Sequence, residues 1–407
     1  MTQVAPTRAE AKVPVFARAD AGEVRRTLRK ERDATVISVL SFNILANVNL
    51  WSTSGKDFFS KLDQAALPWE ARLPRLLAIL LKSEADVIML QEVEKCAFEQ
   101  DLVPKLSGYF GLHEERIKKS KTEPPLEIPA CAVFFKKDRF ELAWRAYPYR
   151  TVLCGLRLLD EDSEMNGKIL AVANCHLEGH PLKIKERHSQ LKSVLSNMDR
   201  NDFHFSLLGG DLNDGANSKL CKETFPACSY FSAYQFQEEA CDVTCAVRVT
   251  PESDRDASRV DHIFFGKEQF NLLAVQSVMD PEWNRTALLN GGLPCALWPS
   301  DHFSISAVVE LAKPSMSKSE LEKETAEELL ARSPLTDSEL AAWKAYHEQF
   351  GGDKAMRRKG KPDALELAAL QEEAKRRRDQ RAALMDPLSD AKRSFIEAYE
   401  RKLKTNK

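Results

Sequence analysis

Phe203-His204-Phe205-Ser206-Leu207-Leu208-Gly209-Gly210-Asp211-Leu212-Asn213 is a short, largely apolar run that stops abruptly in glycine, carboxylate and amide. Runs of this length, bounded by turn residues, read as buried strands. Working outward, the same design recurs. Val36 to Phe42 ends at Asn43, and Asp86-Val87-Ile88-Met89-Leu90 ends at Gln91-Glu92. Ile169 to Ala173 ends at Asn174-Cys175-His176, and Ala132 to Phe135 precedes a Lys-Lys-Asp turn. Asp261 stands at the head of another run, Val260 to Phe265. Ser300-Asp301-His302 opens the last, Phe303 to Val309, whose alternation predicts a half-buried strand.

Between these runs, Trp69 to Lys82 has helical spacing with Leu73, Leu76, Leu77 and Leu80 on one face. Leu182 to Met198 reads the same way, with Ile184, Leu191, Val194 and Leu195 as its apolar stripe. Strands interleaved with helices predict an α/β (α+β) fold: a two-sheet β-sandwich flanked by helices. This domain is expected over residues 36–312. Residues 1–35 mix Arg25, Arg26, Arg29 and Lys30 with Glu10, Asp20, Glu23 and Glu31, and read as a flexible tail or a short helix.

The texture changes after Lys313-Pro314-Ser315, and residues 313–407 read as a helical appendage. Residues 318–333 and 364–384 are rich in Ala, Leu, Glu, Lys and Arg, with breaks at Gly351-Gly352 and Lys359-Gly360-Lys361-Pro362. Pro334-Leu335-Thr336-Asp337 recurs faintly as Pro387-Leu388-Ser389-Asp390, and Thr336 with Glu339 predicts a capping box. Lys375 to Arg378 with Arg381 reads first as a solvated helix face, given Glu372, Glu373 and Asp379 beside it; contact with RNA phosphates is the second reading. Trp343, Tyr346 and Phe350, and again Phe395, Tyr399 and Leu403, are spaced for packing against protein. A partner protein docking on these C-terminal helices is the lesser alternative.

The chain has 407 residues, 43% hydrophobic and 29% charged, with a formal net charge of −2. Such a balance fits a globular protein with a real core and offers no overall basic field for nucleic acid. It leaves room for an enzyme that gathers one phosphate at a small site. Nine cysteines follow no framework spacing, and no histidine follows Cys241 and Cys245 at a zinc-site interval, so free buried thiols are expected. Neither a membrane-spanning apolar stretch nor a signal segment is present, and the expectation is cytosol or nucleus, without membrane association.

The polar stops carry the chemistry. Asn43, Glu92, His176, Asp211, Asn213, Asp261, Asp301 and His302 all lie at or beside the ends of strand-like runs. Singly each has a plain reading: Asp211 to Gly215 as a turn, Gln91-Glu92 as a strand terminus, His176 as a core histidine. Asp211 to Ala216 also fails as a calcium loop, since Ala216 occupies the position that needs glycine. If the strands present these ends to one edge, the side chains converge. Carboxylates held together repel unless a cation sits among them, and a hard, oxygen-ligated Mg²⁺ or Mn²⁺ is the ion expected. A histidine buttressed by an aspartate suits proton abstraction from water.

The ordered series Ser41-Phe42-Asn43-Ile44-Leu45, Leu90-Gln91-Glu92-Val93, Asn174-Cys175-His176-Leu177, Gly210-Asp211-Leu212-Asn213, Val260-Asp261-His262-Ile263 and Pro299-Ser300-Asp301-His302-Phe303 resembles the endonuclease/exonuclease/phosphatase superfamily. Within it the chain is most similar to the carbon catabolite repressor deadenylases, nocturnin, angel and the 2′-phosphodiesterase. Trp69-Glu70-Ala71-Arg72, Ser107 to Gly111, Ser232-Ala233-Tyr234 and Gly292-Leu293-Pro294 add to the likeness, which covers roughly residues 36–311. The resemblance implies a DNase I-like four-layer fold. It implies Glu92 as principal metal ligand with Asn43 and Asp301 nearby, His302 as general base oriented by Asp261, and Asp211 positioning the nucleophile or protonating the leaving group. It further implies that Asn213 binds the scissile phosphate and His176 stabilises charge on the phosphoryl group.

The function implied is a Mg²⁺-dependent 3′-to-5′ RNA exonuclease of the deadenylase kind. A phosphatase acting on a small nucleotide such as NADP, as nocturnin does, is the alternative, and a non-catalytic scaffold a third. Two features depart from the deadenylase pattern: Pro129-Ala130-Cys131-Ala132 replaces an Asp-Gly-Cys-Ala run, and Arg248 to Arg259 lacks the aromatic and proline pattern of a base-stacking segment. With no leucine-rich repeat ahead of the domain, docking to a large deadenylation complex through one is not expected.

Overall fold

The computed structural model describes residues 13–31, 35–52, 55–56, 59–114, 117–118, 126–161, 163–235, 237–246, 257–279, 283, 291–317, 320, 335–350, 375–376, 379–380, 384 and 396. The basic run at Lys375, the aromatic spacing from Phe395, the second copy of the faint repeat and most of Arg248 to Arg259 lie wholly or largely outside these residues. The chain divides into two units, residues 1–317 and 318–407.

The first unit is built on two mixed sheets. The strands in chain order are β1 (Val15–Phe16), β2 (Val36–Asn43), β3 (Val87–Val93), β4 (Tyr109–His113), β5 (Ile117–Lys118), β6 (Leu126–Glu127), β7 (Ala130–Lys136), β8 (Phe140–Ala146), β9 (Thr151–Leu158), β10 (Ile169–His176), β11 (Phe205–Asp211), β12 (Tyr230–Ser232), β13 (Cys245–Ala246), β14 (Ala257–Ser258), β15 (Asp261–Gly266), β16 (Phe270–Gln276) and β17 (Ile305–Leu311). Among the described residues, one sheet runs β1-β16-β17-β2-β3-β7-β4 and the other β12-β15-β11-β10-β9-β8. Val39, Met89, Val133, Val172, Leu207, Ile263 and Phe265, drawn from both sheets, belong to one buried hydrophobic core. Among the described residues the longer helices are α1 (Ala21–Lys30), α2 (Trp69–Ser83) and α3 (Ile184–Met198) in this unit, and α4 (Asp337–Phe350) in the second.

The central strands, such as β2, β10 and β11, are buried on both faces, so they read as continuous apolar runs rather than alternating ones. β17 shows this: only Glu310 of its seven residues is even partly exposed, contrary to the half-buried strand its alternation predicts. Its second face is covered by Val36, Ala21 and Phe16, which cluster with Val308.

Where residues 1–35 are described, they form a short strand and the helix α1. β1 adds to the sheet edge, Val15 pairing with Val275 in parallel. α1 brings Arg25 to Glu84 at 2.9 Å and Asp86 at 3.3 Å. Arg18 donates to the Val278 carbonyl and lies over the Trp298 ring, 4.2 Å from its centroid. Arg25, one of the charges that made this stretch look solvated, is a partner for a buried carboxylate of the sandwich.

Both predicted helices form, with a shifted stripe in the second. α3 buries Arg187, Leu191, Val194 and Met198, while Ile184 is half exposed at the first turn. In α4 the capping box is made: Thr336 N donates to Glu339 Oε2 at 2.7 Å and Glu339 N to Thr336 Oγ1 at 3.3 Å. Among the described residues no helix is long and apolar enough to cross a membrane.

Candidate active site

Register brings the polar stops together. Asp211 ends β11 opposite His176 on parallel β10 and opposite Asp261 on antiparallel β15. In the facing sheet, Asn43 ends β2 beside Gln91 of β3. The two strand ends are tied across the core by amides. Gln91 Nε2 donates to Asn174 Oδ1 at 2.7 Å, and Asn174 Nδ2 donates to the carbonyls of Leu90 and Ala132, both at 2.8 Å. Hydrogen bonds between buried amides fix the spacing between sheets more tightly than apolar contact alone, although Gln91 Oε1 is buried without a partner.

Glu92 reaches the site through an irregularity. β3 carries an extra residue between Leu90 and Val93 relative to β7, and Glu92 has φ 56°. Such a bulge re-aims a side chain that strict alternation would turn away. The Glu92 carboxylate accepts from Ala46 N at 3.0 Å and Asn49 Nδ2 at 2.6 Å. Gly210 is constrained in a related way: its φ is 123°, and a Cβ there would meet the Cys175 carbonyl oxygen at 2.0 Å.

At the centre, His302 Nδ1 lies 2.8 Å from Asp261 Oδ2, and its Nε2 lies 3.7 Å from Asp211 Oδ2. His176 Nε2 approaches the same Asp211 oxygen at 3.6 Å. Asn43 Nδ2 donates to Asp211 Oδ2 at 3.0 Å and reaches Glu92 Oε1 at 3.4 Å. Asn213 turns through φ 50°, gives its backbone N–H to Asp211 Oδ1 and its Nδ2 to the Leu177 carbonyl. Thr244 Oγ1 accepts from Asp261 N, and Ser300 Oγ donates to the Asn43 carbonyl, holding both strand ends.

All eight side chains singled out by the sequence therefore lie in one cluster or at its edge. Asn43 arrives differently from expectation: it presents nitrogen to the carboxylates, because its Oδ1 accepts from Leu45 N at 3.1 Å. Arg72 is the residue whose part the sequence hid. Fully buried on α2, it donates to the carbonyls of Leu67, Ile44, Leu45 and Pro299, at 2.8 to 3.1 Å. It thus pins the loop after β2 to the segment leading into Asp301. Gln91, Asn174, Asn49 and Thr244 were also missed; polar residues inside apolar runs, as Asn174 is, were their only signal.

The electrostatics follow from burial and crowding. Burial pushes the Asp211 carboxyl up, but His302, His176, the Asn213 N–H and Asn43 outweigh it and hold it below the ordinary range. The Asp301 carboxyl is pushed up to about 6, by burial and then by the negative charge of Glu92, against the pull of His302 and Arg72. Burial pulls the His302 imidazole down, but Cys245, Asp261, Asp211 and Asp301 raise it well above the usual value. The Oδ1 of Asp261 is buried with no hydrogen-bond partner. Asp301, whose ionisation the Glu92 charge opposes, forms with Glu92 a pair of oxygen donors that a hard divalent cation would stabilise. Two triads also have ligand atoms within 4.8 Å of one another: Asp211, Asp261 and His302, and Cys245, Asp301 and His302.

A model of the Endonuclease/Exonuclease/phosphatase family matches residues 40–302, the span that contains every element of this site. The chain belongs to that family. Among endonuclease/exonuclease/phosphatase proteins it is 35% identical over 105 residues to Carbon catabolite repressor protein 4 homolog 1 of Arabidopsis thaliana, covering 25% of this chain and 17% of that protein. It is 36% identical over 81 residues to the CCR4-Not complex 3′-5′-exoribonuclease subunit Ccr4 of Saccharomyces cerevisiae, covering 19% of this chain and 10% of that protein. The chain thus matches less than a fifth of the length of either. The crystal structure of ANGEL2, a 2′,3′-cyclic phosphatase, in complex with adenosine-2′,3′-vanadate superposes with a TM-score of 0.56 at 21% identity, covering 69% of this chain and 96% of that one. That likeness establishes the fold: two sheets flanked by helices, as the motif series implied.

Proposed function

We propose that the chain is a magnesium-dependent phosphodiester hydrolase that trims RNA from its 3′ end with a histidine-activated water. The observation that carries this reading is the 2.8 Å bond between His302 Nδ1 and Asp261 Oδ2, with Asp211 facing the other ring nitrogen. A carboxylate on Nδ1 fixes ring and tautomer so that Nε2 takes the proton from water, and it stabilises the imidazolium that results. Asp211 holds the nucleophile in line or returns the proton to the leaving oxygen. Asn213 binds the scissile phosphate with the N–H its Leu177 contact leaves over. His176, half-exposed beside Asp211, donates to the phosphoryl oxygen as charge builds, a contribution of about 3 kcal/mol for a preorganised donor.

Glu92 and Asp301 would hold the magnesium ion, with the Asn43 amide nitrogen beside the Glu92 carboxylate, and a bound ion would polarise a phosphoryl oxygen. Cytosol or nucleus is the proposed compartment, in keeping with cysteines that follow no disulfide framework spacing. The short, strong match to an exoribonuclease subunit supports RNA as substrate.

The test is to offer the purified protein with Mg²⁺ a labelled oligo(A), a mixed-sequence RNA and NADP in parallel. Stepwise shortening of RNA from the 3′ end with release of nucleoside 5′-monophosphates is the expected result. Consumption of NADP alone would replace the exonuclease with a small-nucleotide phosphatase, and no turnover of any would favour a scaffold.

A further inference from the structure

Cys245 stands against the reaction centre, where it helps to raise the His302 imidazole but is given no contact with substrate or metal in the chemistry proposed above. Its sulfur, a carboxylate oxygen of Asp301 and a ring nitrogen of His302 lie within 4.8 Å of one another. The backbone on both sides of this triad is locked. Cys245 bridges His302 in antiparallel fashion, Ala246 N donates to the Asp301 carbonyl at 2.9 Å, and Phe303 N donates to the Thr244 carbonyl at 2.7 Å. Trp298 Nε1 donates to the His302 carbonyl at 2.6 Å. The three side chains are thus presented by paired main chain rather than by a free loop.

We infer that Cys245, Asp301 and His302 form an inhibitory zinc site that overlaps the hydrolytic centre. Thiolate, imidazole and carboxylate with one position left for water is a zinc donor set. A tetrahedral ion with bonds of roughly 2.0–2.3 Å needs its ligand atoms about 3.5 Å apart, a contraction that side-chain rotation supplies. Magnesium does not compete for the sulfur, because it takes hard oxygen ligands. On binding, zinc displaces the Cys245 thiol proton to solvent and forms the Zn–S bond, with no change of oxidation state.

The consequence rests on the reading of His302 as the base. A metal on Nδ1 breaks the bond to Asp261, and a metal on Nε2 removes the proton acceptor. Either way the ring leaves the relay, and Asp301 is taken at the same time. Zinc then inhibits by occupying the machinery rather than by exchanging for magnesium alone.

The existence of the site and its effect on turnover are read separately. Cobalt(II) titrated into the full chain should give a thiolate-to-metal charge-transfer band in the near ultraviolet that is lost in both Cys245→Ser and Cys245→Ala. The difference between wild type and variant removes any contribution from the other eight cysteines. This readout needs no substrate, so it stands even if the hydrolysis reading fails. In hydrolysis assays with Mg²⁺ in excess, zinc inhibition of each variant is read against that variant's own zinc-free rate. Both variants should need at least about tenfold more zinc for half-inhibition, since even indirect supports of a metal site are worth that much. Absence of a difference band, or zinc sensitivity unchanged in both variants, would overturn the inference.

Discussion

Glu92 owes its place to one backbone irregularity. The extra residue in β3 and the left-handed φ of 56° swing its carboxylate toward Asn43 and Asn49. That a polar residue ends the run was plain in the sequence; that a bulge aims it was not, since period-two alternation alone would have pointed either Gln91 or Glu92 into the core. Gln91 took the core, bonded to Asn174. Replacement Glu92→Ala should cut Mg²⁺-dependent turnover by about a hundredfold or more, as expected when several kcal/mol of charge stabilisation is removed. The partly exposed carboxylate supports little of the core, so the thermal midpoint should shift by no more than a few degrees. A variant with near-normal turnover in a metal titration would show that Glu92 is not the ligand. Asn43 teaches the reverse lesson: its position was legible, but the orientation of its amide depends on Leu45 N, which only the folded loop reveals.

At the scale of elements, the strand ends and helices were readable because apolar runs and polar stops coincide. What their edges rest on was less visible. α2 presents Leu76 and Leu80 to the core as its spacing predicts, yet the same face carries Arg72 fully buried. Burial lowers its guanidinium to about 10, against the raising influence of Asp301, Glu94 and Glu92, so it stays charged. A planar fork of donors meets four carbonyls from three segments, which neither leucine nor lysine can match. Arg72→Leu should destabilise the unit by at least about 3 kcal/mol, because the orphaned carbonyls stay buried. It should also lower turnover beyond the loss of folded protein, since Asn43 and Asp301 lose their common anchor. Urea unfolding followed by two probes checks the first effect, and turnover per folded molecule checks the second.

For the first unit taken whole, the sandwich was legible and the contribution of its N-terminal segment was not. Charge along residues 20–31 looked like a solvated helix, whereas Arg25 joins Arg139 and Lys136 around Asp86, a carboxylate with no exposed surface. Burial raises the Asp86 carboxyl, but Arg139, Arg25, Lys136 and Arg29 outweigh it and hold it below its ordinary value. A folded pKa below the unfolded value of about 3.9 stabilises the fold fully above that pH. The contribution is lost as pH falls through the folded pKa. Asp86→Asn should therefore cost about 3–5 kcal/mol at neutral pH, through the unpaired buried cations it leaves. The gap between variant and wild type should close in acid, below about pH 4. A gap that stays constant down to pH 2 would refute the linkage.

The account stands on His302 as the base that two aspartates orient and charge. Its most direct measurement is the pH dependence of kcat/KM with saturating Mg²⁺ for wild type and His302→Ala on the same RNA. The wild type should gain activity with rising pH as the imidazole loses its proton, with a midpoint above the ordinary histidine value of about 6.5. The raised His302 pKa sets that direction. The variant should be slower by about 10²–10⁴-fold and flat across this range. A variant that keeps the same rising limb would assign proton transfer to another group and contradict the account.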